Sequence, residues 1–213
     1  MAMYEIWHYL TASGRNVFDD WLGSLKDKDA EGQIAVRLNR LKAGNFGDCR
    51  SVGGGVWELR IDYGPGYRVY YAISGKTVVL LLCGGDKRTQ SGDMARAKAF
   101  WADYRGKDEE IMKRKASISH EEVMVKKLRN DAKFAAAYLK AAMEDSEEPQ
   151  VLLIALRQVA KARGIANVAK RAKIERESLY RALSPKGNPR FSTIAAVTKA
   201  LGLTLTVEPA PSH

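Results

Sequence analysis

The chain has 213 residues, 46% hydrophobic and 28% charged, and its 35 Lys and Arg against 25 Asp and Glu leave a formal net charge of +10. That composition excludes wholesale disorder and supplies apolar material for one large core or two small ones. A positive balance of this size favours a polyanionic partner, nucleic acid first among them. Tyr4 to Tyr9 alternates apolar and polar residues and suits a strand. Two helices follow: Asn16 to Leu25 groups Val17, Phe18, Trp21, Leu22 and Leu25 on one side, and Asp29 to Leu41 groups Ile34, Leu38 and Leu41. After the break at Gly44 to Asp48 come three strands, Val56 to Asp62, Tyr67 to Ile73 and Thr77 to Cys83. The turns between them, Tyr63-Gly-Pro-Gly and Ser74-Gly-Lys, carry the Gly and Pro that a tight reversal needs. Thr77 to Cys83 is apolar on both faces, which implies a central place in the sheet. A closing helix capped by Asp93 runs to Tyr104. The order is that of a small α+β domain.

The remainder reads as helices. Asp131 to Met143 is rich in Ala, Glu148-Pro149 opens another helix, and Val151 to Arg163 continues it. Short helices run from Asn167 to Ala172 and from Arg176 to Leu183; Ser192 opens a last one that stops at Gly202, and Thr204 to Val207 is β-like. Texture divides the chain. Residues 1–107 hold all four Trp and residues 108–213 none, and the charged stretch 108–120, which lacks apolar periodicity, reads as a linker before a helical domain over 121–213.

The longest strongly apolar run, Val78 to Cys83, is far short of the roughly 20 residues that cross a bilayer, so no membrane partner is expected. No secretory h-region is visible near the start, and Cys49 and Cys83 form neither a CxxC pair nor a disulfide framework. A reducing, cytoplasmic setting is the expectation.

Charge concentrates late in the chain: residues 151–203 carry 11 basic side chains against Glu175 and Glu177. Within them, Asn167 to Leu183 has helix-turn-helix spacing. Ala169 is the small residue where two helices cross, Val168 and Ala172 flank it, Ile174 follows the turn, and Leu179 and Ala182 anchor the second helix. Asn167, Lys173, Arg176, Glu177, Ser178, Tyr180 and Arg181 are left to reach base edges or phosphates. Lys173 stands where such a turn usually carries Gly, a left-handed position that costs a Lys some energy. The alternative is an ordinary helix pair with a solvated basic face.

The stretch ALRQVAKARGIANVAKRAKIERESLYRALSPKGNPRFSTIAAVTKALGLTL resembles the addiction-module antidote family, HigA-like antitoxins with an Xre-type helix-turn-helix, over about residues 120–207. SLYRALSPKGNPRFSTI is its most specific part. The resemblance implies a dimeric repressor of its own operon that also binds a toxin. Residues 1–107 resemble that antitoxin's usual partner, a HigB-like killer protein of the RelE/ParE superfamily, through GDCRSVGGGVWELRIDYGPGYRVYY and VVLLLCGGDKRTQSGDMARAKAFWADY. The fold class expected is therefore an α+β RelE/ParE-like domain followed by an all-α helix-turn-helix domain.

Read from its residues, the first half offers a sheet carrying Arg60 and Arg68, with Lys87 and Arg88 just past its last strand. No cofactor is implied, no metal site, P-loop or Ser-His-Asp arrangement is visible, and His8, His120 and His213 fall on a strand, in the linker and in the tail. Cleaving RNA without a metal needs a base for the 2′-hydroxyl, a donor for the leaving oxygen and positive charge around the phosphorane. Arg60, Arg68 and Lys87 are the catalytic candidates. Each has a plainer reading: Arg60 pairs with Glu58 two positions away, Arg68 stacks on Tyr70, and Lys87 is solvated. Tyr63, Tyr67, Tyr70 and Tyr71 could stack on bases or simply pack, and Gln90 is a weaker candidate. The resemblance leaves two toxin activities, an endoribonuclease acting on mRNA at the ribosome or a ParE-like gyrase poison. A repressor whose toxin-like domain is inactive is the contrasting case. Joined in one polypeptide, the antitoxin would hold the toxin inactive, with residues 121–145 the candidate cover for its cleft.

Overall fold

A computed structural model describes residues 3–107, 116–145 and 148–206. The strands are β1 (Glu5–Tyr9), β2 (Cys49–Gly53), β3 (Val56–Ile61), β4 (Tyr67–Ser74), β5 (Val78–Asp86) and β6 (Ser117–Ser119). They form one sheet in the order β2-β3-β4-β5-β1-β6. β2 to β5 are a meander of antiparallel neighbours, β1 lies parallel to β5, and β6 closes the far edge antiparallel to β1. As its sequence implies, β5 is central and almost wholly buried.

Helices cover both faces. α1 (Val17–Ser24) and α2 (Lys28–Lys42) start at Asn16 and Asp27, whose side chains accept from backbone N–H groups of the first turn. They bury Phe18, Leu22, Ile34, Leu38 and Leu41 against Leu59, Val69, Tyr71 and Leu81. α3 (Gln90–Arg105) covers the opposite face, setting Ala97, Trp101 and Tyr104 against Tyr70, Leu80 and Leu82. Each fully buried Leu, Ile or Phe contributes about 1.5–3 kcal/mol. Asp93 does not cap α3; Thr89 occupies that position, and buried Asp93 accepts from the Thr89 hydroxyl and pairs with Arg96.

The helical half comprises α4 (His120–Asn130), α5 (Ala132–Glu144), α6 (Gln150–Ala162), α7 (Ile165–Ala172), α8 (Arg176–Ala182) and α9 (Phe191–Ala200). Thr204 to Thr206 form no strand, and Val207 lies outside the described residues. Of the stretch read as a linker, 108–115 lie outside the described residues, 117–119 are β6, and His120 already belongs to α4. Three residues are too few to show a period-two pattern, so this strand is invisible until its pairing with β1 is seen.

The two halves meet along α2. Gly32 lets α5 approach closely: a Cβ there would lie 2.8 Å from the Ala137 carbonyl oxygen. While Ile34, Leu38 and Leu41 face the sheet, Ala35 and Val36 face outward into a second core with Phe134, Tyr138, Leu139 and Val159. Polar groups cross the same seam. Buried Glu31 receives Lys28 and Lys127, each at 2.6 Å. Asn39 donates to the Tyr138 hydroxyl, which donates to Gln158 at 2.6 Å, and Gln158 donates in turn to Glu121 at 3.1 Å. Glu121 pairs with Lys42 of α2 and Lys161 of α6. At the sheet edge, His8 and His120 share a buried ring-nitrogen hydrogen bond of 2.8 Å.

Candidate functional site

The sheet's α3 face gathers charge at one end. Glu58 alternates with Val56 along β3 and so points toward α3, fully buried at 0% exposure. A buried carboxylate needs partners to stay charged. Opposite it on β2 is Arg50, whose Nε lies 2.9 Å from Oε1; Arg60 approaches the same oxygen at 3.2 Å. On Oε2, Tyr70 from β4 donates at 3.0 Å and Gln90, the first residue of α3, at 2.7 Å. Arg68 Nε is 3.7 Å from that oxygen, and its guanidinium also donates to the Gly66 carbonyl at 2.6 Å. Burial alone would raise the Glu58 pKa, but bonds from Gln90, Arg60, Tyr70 and Arg50 outweigh it and hold the carboxyl below its usual range. Burial and the adjacent carboxylate push the Tyr70 hydroxyl up, so it stays protonated.

Three guanidiniums around one carboxylate leave a surplus of two positive charges. Asp48, 3.7 Å from Arg60, offsets one of these charges, and since the Arg60 side chain remains 37% exposed and that of Arg50 47%, the remaining one reaches solvent. Of the catalytic candidates, Arg60 and Arg68 meet on Glu58. Lys87 stands at the same end of the sheet, because β4 begins opposite the end of β5, with Tyr67 paired to Asp86 and Arg68 to Gly85. It is exposed and forms no ion pair among the described residues, whereas Arg88 is held by Asp86 at 2.8 Å. Arg50 carries no signal in the sequence, because the edge strand β2 shows no apolar alternation, and local spacing pairs Glu58 with Arg60 alone. The signal available was Glu58 among apolar inward residues of β3: a lone carboxylate there implies converging donors. Tyr70 faces this cluster, while Tyr67 and Tyr71 belong to the core under α1 and α2.

Residues 121–145 do not cover this cluster. α4 and α5 lie on the α2 side, with α2 and the sheet between them and Glu58, and the cluster's hydrogen bonds and ion pairs come from residues 48–90. Among the described residues, no group of three or more His, Cys, Asp or Glu could hold a metal ion, and no helix is long and apolar enough to cross a membrane.

The second basic feature is α7, its turn and α8. Val168, Ala169 and Leu179 are buried where the two helices meet, with Ala172 and Ile174 packed against them. Lys173 ends α7 in the left-handed region at φ 56° and ψ 39°, the only non-glycine with positive φ among the described residues. Its N–H donates to Lys170 and that of Ile174 to Ala169, so both bonds of a Schellman turn are made with Lys where Gly is usual. Asn167, Lys173, Arg176, Glu177 and Arg181 are exposed and Ser178 is half-buried. Tyr180 is held between Arg157 and Arg176, whose guanidinium carbons lie 5.8 and 5.7 Å from its ring centre. Arg181 donates to the Ser178 hydroxyl at 3.3 Å.

Sheet, cationic cluster and basic helix pair define a class: an α/β domain with an anion-attracting face, continuous with a helical domain carrying its own positive surface. Residues 20–100 match the family described as "Phage derived protein Gp49-like (DUF891)", and residues 120–209 match "Probable addiction module antidote protein". Among curated relatives, a Haemophilus influenzae protein described only as uncharacterized is 53% identical over 81 residues, 38% of this chain and 82% of its own length. A second uncharacterized protein of the same organism is 41% identical over 71 residues, 33% of this chain and 72% of its own. No solved structure matches the chain. The chain therefore joins, in one polypeptide, a segment similar to Gp49-like proteins and a segment similar to addiction-module antidote proteins.

Proposed function

We propose that the Gp49-like half is an mRNA endoribonuclease of the RelE/HigB type that works without a metal. The HigA-like half keeps it silent and, as a homodimer, binds operator DNA to repress its own operon. The cluster on Glu58 carries the catalytic part. When the 2′-hydroxyl attacks the adjacent phosphate, charge builds on the phosphorane oxygens, and guanidiniums already fixed in place stabilise it without reorganising. Arg60 and Arg68, with Arg50, supply that charge; the 2′-hydroxyl proton passes to solvent water, Lys87 at the rim protonates the leaving 5′-oxygen and is reprotonated from solvent, and the products are a 2′,3′-cyclic phosphate and a 5′-hydroxyl. Glu58 is committed to the arginines and acts as a positioning residue. A gyrase-binding toxin would have no use for arginines converging on one carboxylate, which favours RNA.

Silencing does not require the cluster to be filled. The antidote helices stand behind α2, so their bulk keeps the domain from docking into a large target such as the ribosome. For DNA, α8 enters the major groove with Arg176, Glu177, Ser178 and Arg181 toward base edges, while Asn167, Lys173 and Tyr180 meet the backbone. One such helix reads too few base pairs for a useful operator, hence the dimer.

The test is inducible expression of residues 1–107 in bacteria, with RNA ends mapped, beside an Arg68→Ala, Lys87→Ala version. Arrest with new RNA ends, lost in the double variant, supports the reading. Arrest with DNA damage and no new ends would assign a gyrase poison, and no arrest would leave a repressor with an inactive toxin domain.

A further inference from the structure

We propose that the Gly53–Gly55 turn, Lys98 and Arg105 form a second phosphate subsite, which takes a backbone phosphodiester of single-stranded RNA to one side of the arginine cluster. The inference rests on the ribonuclease reading and extends it to the shape of the substrate. Gly53, Gly54 and Gly55 join β2 to β3 with φ of 86°, 66° and 82°, three left-handed residues in succession that present exposed backbone without side chains. Such a turn lets an oxyanion come close to main-chain N–H groups. α3 lies behind it. The Lys98 ammonium is 3.7 Å from the position of a Cβ on Gly53, and its stem is equally close to that of Gly54. Two turns further along α3, the Arg105 guanidinium lies over the Trp101 ring, 5.6 Å from its centre.

Two observations separate this corner from an ordinary solvated edge. The neighbouring cations on and just after α3 are matched: Arg96 has Asp93 and Lys107 has Asp103. Lys98 and Arg105 form no ion pair among the described residues. Beneath the turn, the buried indole N–H of Trp101 has no hydrogen-bond partner and lies 2.8 Å from where a Cβ on Gly55 would be. A buried N–H without a partner is costly and calls for an explanation. A phosphate oxygen seated where the glycine turn yields would supply the missing acceptor. The exposed edge strand β2 connects the two sites, from Arg50 beside Glu58 to Gly53 beside Lys98, a rise of roughly 10 Å at about 3.3 Å per residue. A short single strand of RNA spans that distance, whereas a duplex could not lay one strand along the edge without lifting the other clear of α3.

The test uses the full chain labelled with 15N and a single-stranded hexauridylate, following the four tryptophan indole signals. The Trp101 signal is identified with Trp101→Phe. On titration the Trp101 indole should shift, and in a Lys98→Ala, Arg105→Ala variant that shift should vanish, with the apparent Kd weaker on the order of tenfold. Both substitutions are on exposed side chains; removing Arg105 from the Trp101 ring resets the Trp101 signal itself, so unchanged signals of Trp7, Trp21 and Trp57 without RNA verify the fold. If Trp101 stays still and the double variant binds as wild type while Arg68→Ala weakens binding, the subsite is refuted and the cleavage cluster stands. If neither variant weakens binding, the RNA reading of the domain falls with it.

Discussion

Acidification should loosen the joined fold through its histidine pair before any paired carboxylate titrates. His8 Nε2 and His120 Nδ1 are 2.8 Å apart in the buried seam, and the Asn16 side chain bonds the other nitrogen of His8. Burial, opposed in part by the Asn16 bond, lowers the His8 pKa from 6.5 to about 4. His120 is pushed well below its ordinary value by burial and by the charges of His8 and Lys42, against Glu121. In the unfolded chain both titrate near 6.5, so below that pH the unfolded state gains protons that the folded state refuses. Stability from His8 is therefore full above pH 6.5 and is lost as the pH falls toward about 4. At about 1.4 kcal/mol per unit, the loss from His8 alone reaches about 3 kcal/mol, and His120 adds to it with the same sign. Asp19, raised by burial, works the other way, and Glu121, held at about 2 against burial by Lys161, Lys42 and Gln158, contributes its own loss only in stronger acid. Urea unfolding followed at steps from about pH 7.5 to about 4.5 measures the slope. A His8→Gln, His120→Gln protein should lose most of it. Equal stability across that range, or an unaltered slope in the double variant, would refute the argument.

Tyr138→Phe removes the hydroxyl that links Asn39 to Gln158 and leaves both buried amides short of a partner; thermal unfolding should show a loss of about 1–3 kcal/mol. Lys173→Gly relieves a left-handed Lys, so the same measurement should show a gain of roughly 0.5–1 kcal/mol. Glu58→Ala leaves three guanidiniums without their shared carboxylate; RNA cleavage by residues 1–107 should fall at least as far as in Arg68→Ala. Arg176→Ala, Arg181→Ala should weaken binding to the chain's upstream DNA and flatten its salt dependence, read by mobility shift at two salt concentrations.

What the sequence made legible is what has a period or a marked turn. The amphipathic helices, β3 to β5 and their glycine hairpins all follow from spacing, and so does the small-residue crossing at Ala169. Three features do not. β2 has only an edge to offer, with Arg50 and Ser51 exposed, and β6 is three residues long. The seam depends on a second face of α2, where Gly32, Ala35 and Val36 are too small to register as an apolar stripe yet allow a helix to lie close. The arginine cluster was half visible. Arg60 and Arg68 stood out as cations on strands, but their meeting point was hidden because strand register across β2, β3 and β4 decides it, and no local pattern encodes register. His8 and His120, 112 residues apart in sequence, give no local sign of their pairing for the same reason.

In the function proposed above, the antidote half silences the toxin half from the α2 side. Gly32→Leu in the full chain tests it directly: the new side chain must displace Ala137, whose carbonyl a Cβ alone would meet at 2.8 Å, while Glu58 and its arginines lie beyond the sheet. Induced in bacteria with growth and RNA ends followed, this protein should arrest cells and generate new ends, and adding Arg68→Ala should restore growth. Normal growth with Gly32→Leu, in a protein whose seam is shown by proteolysis to have opened, would contradict the account.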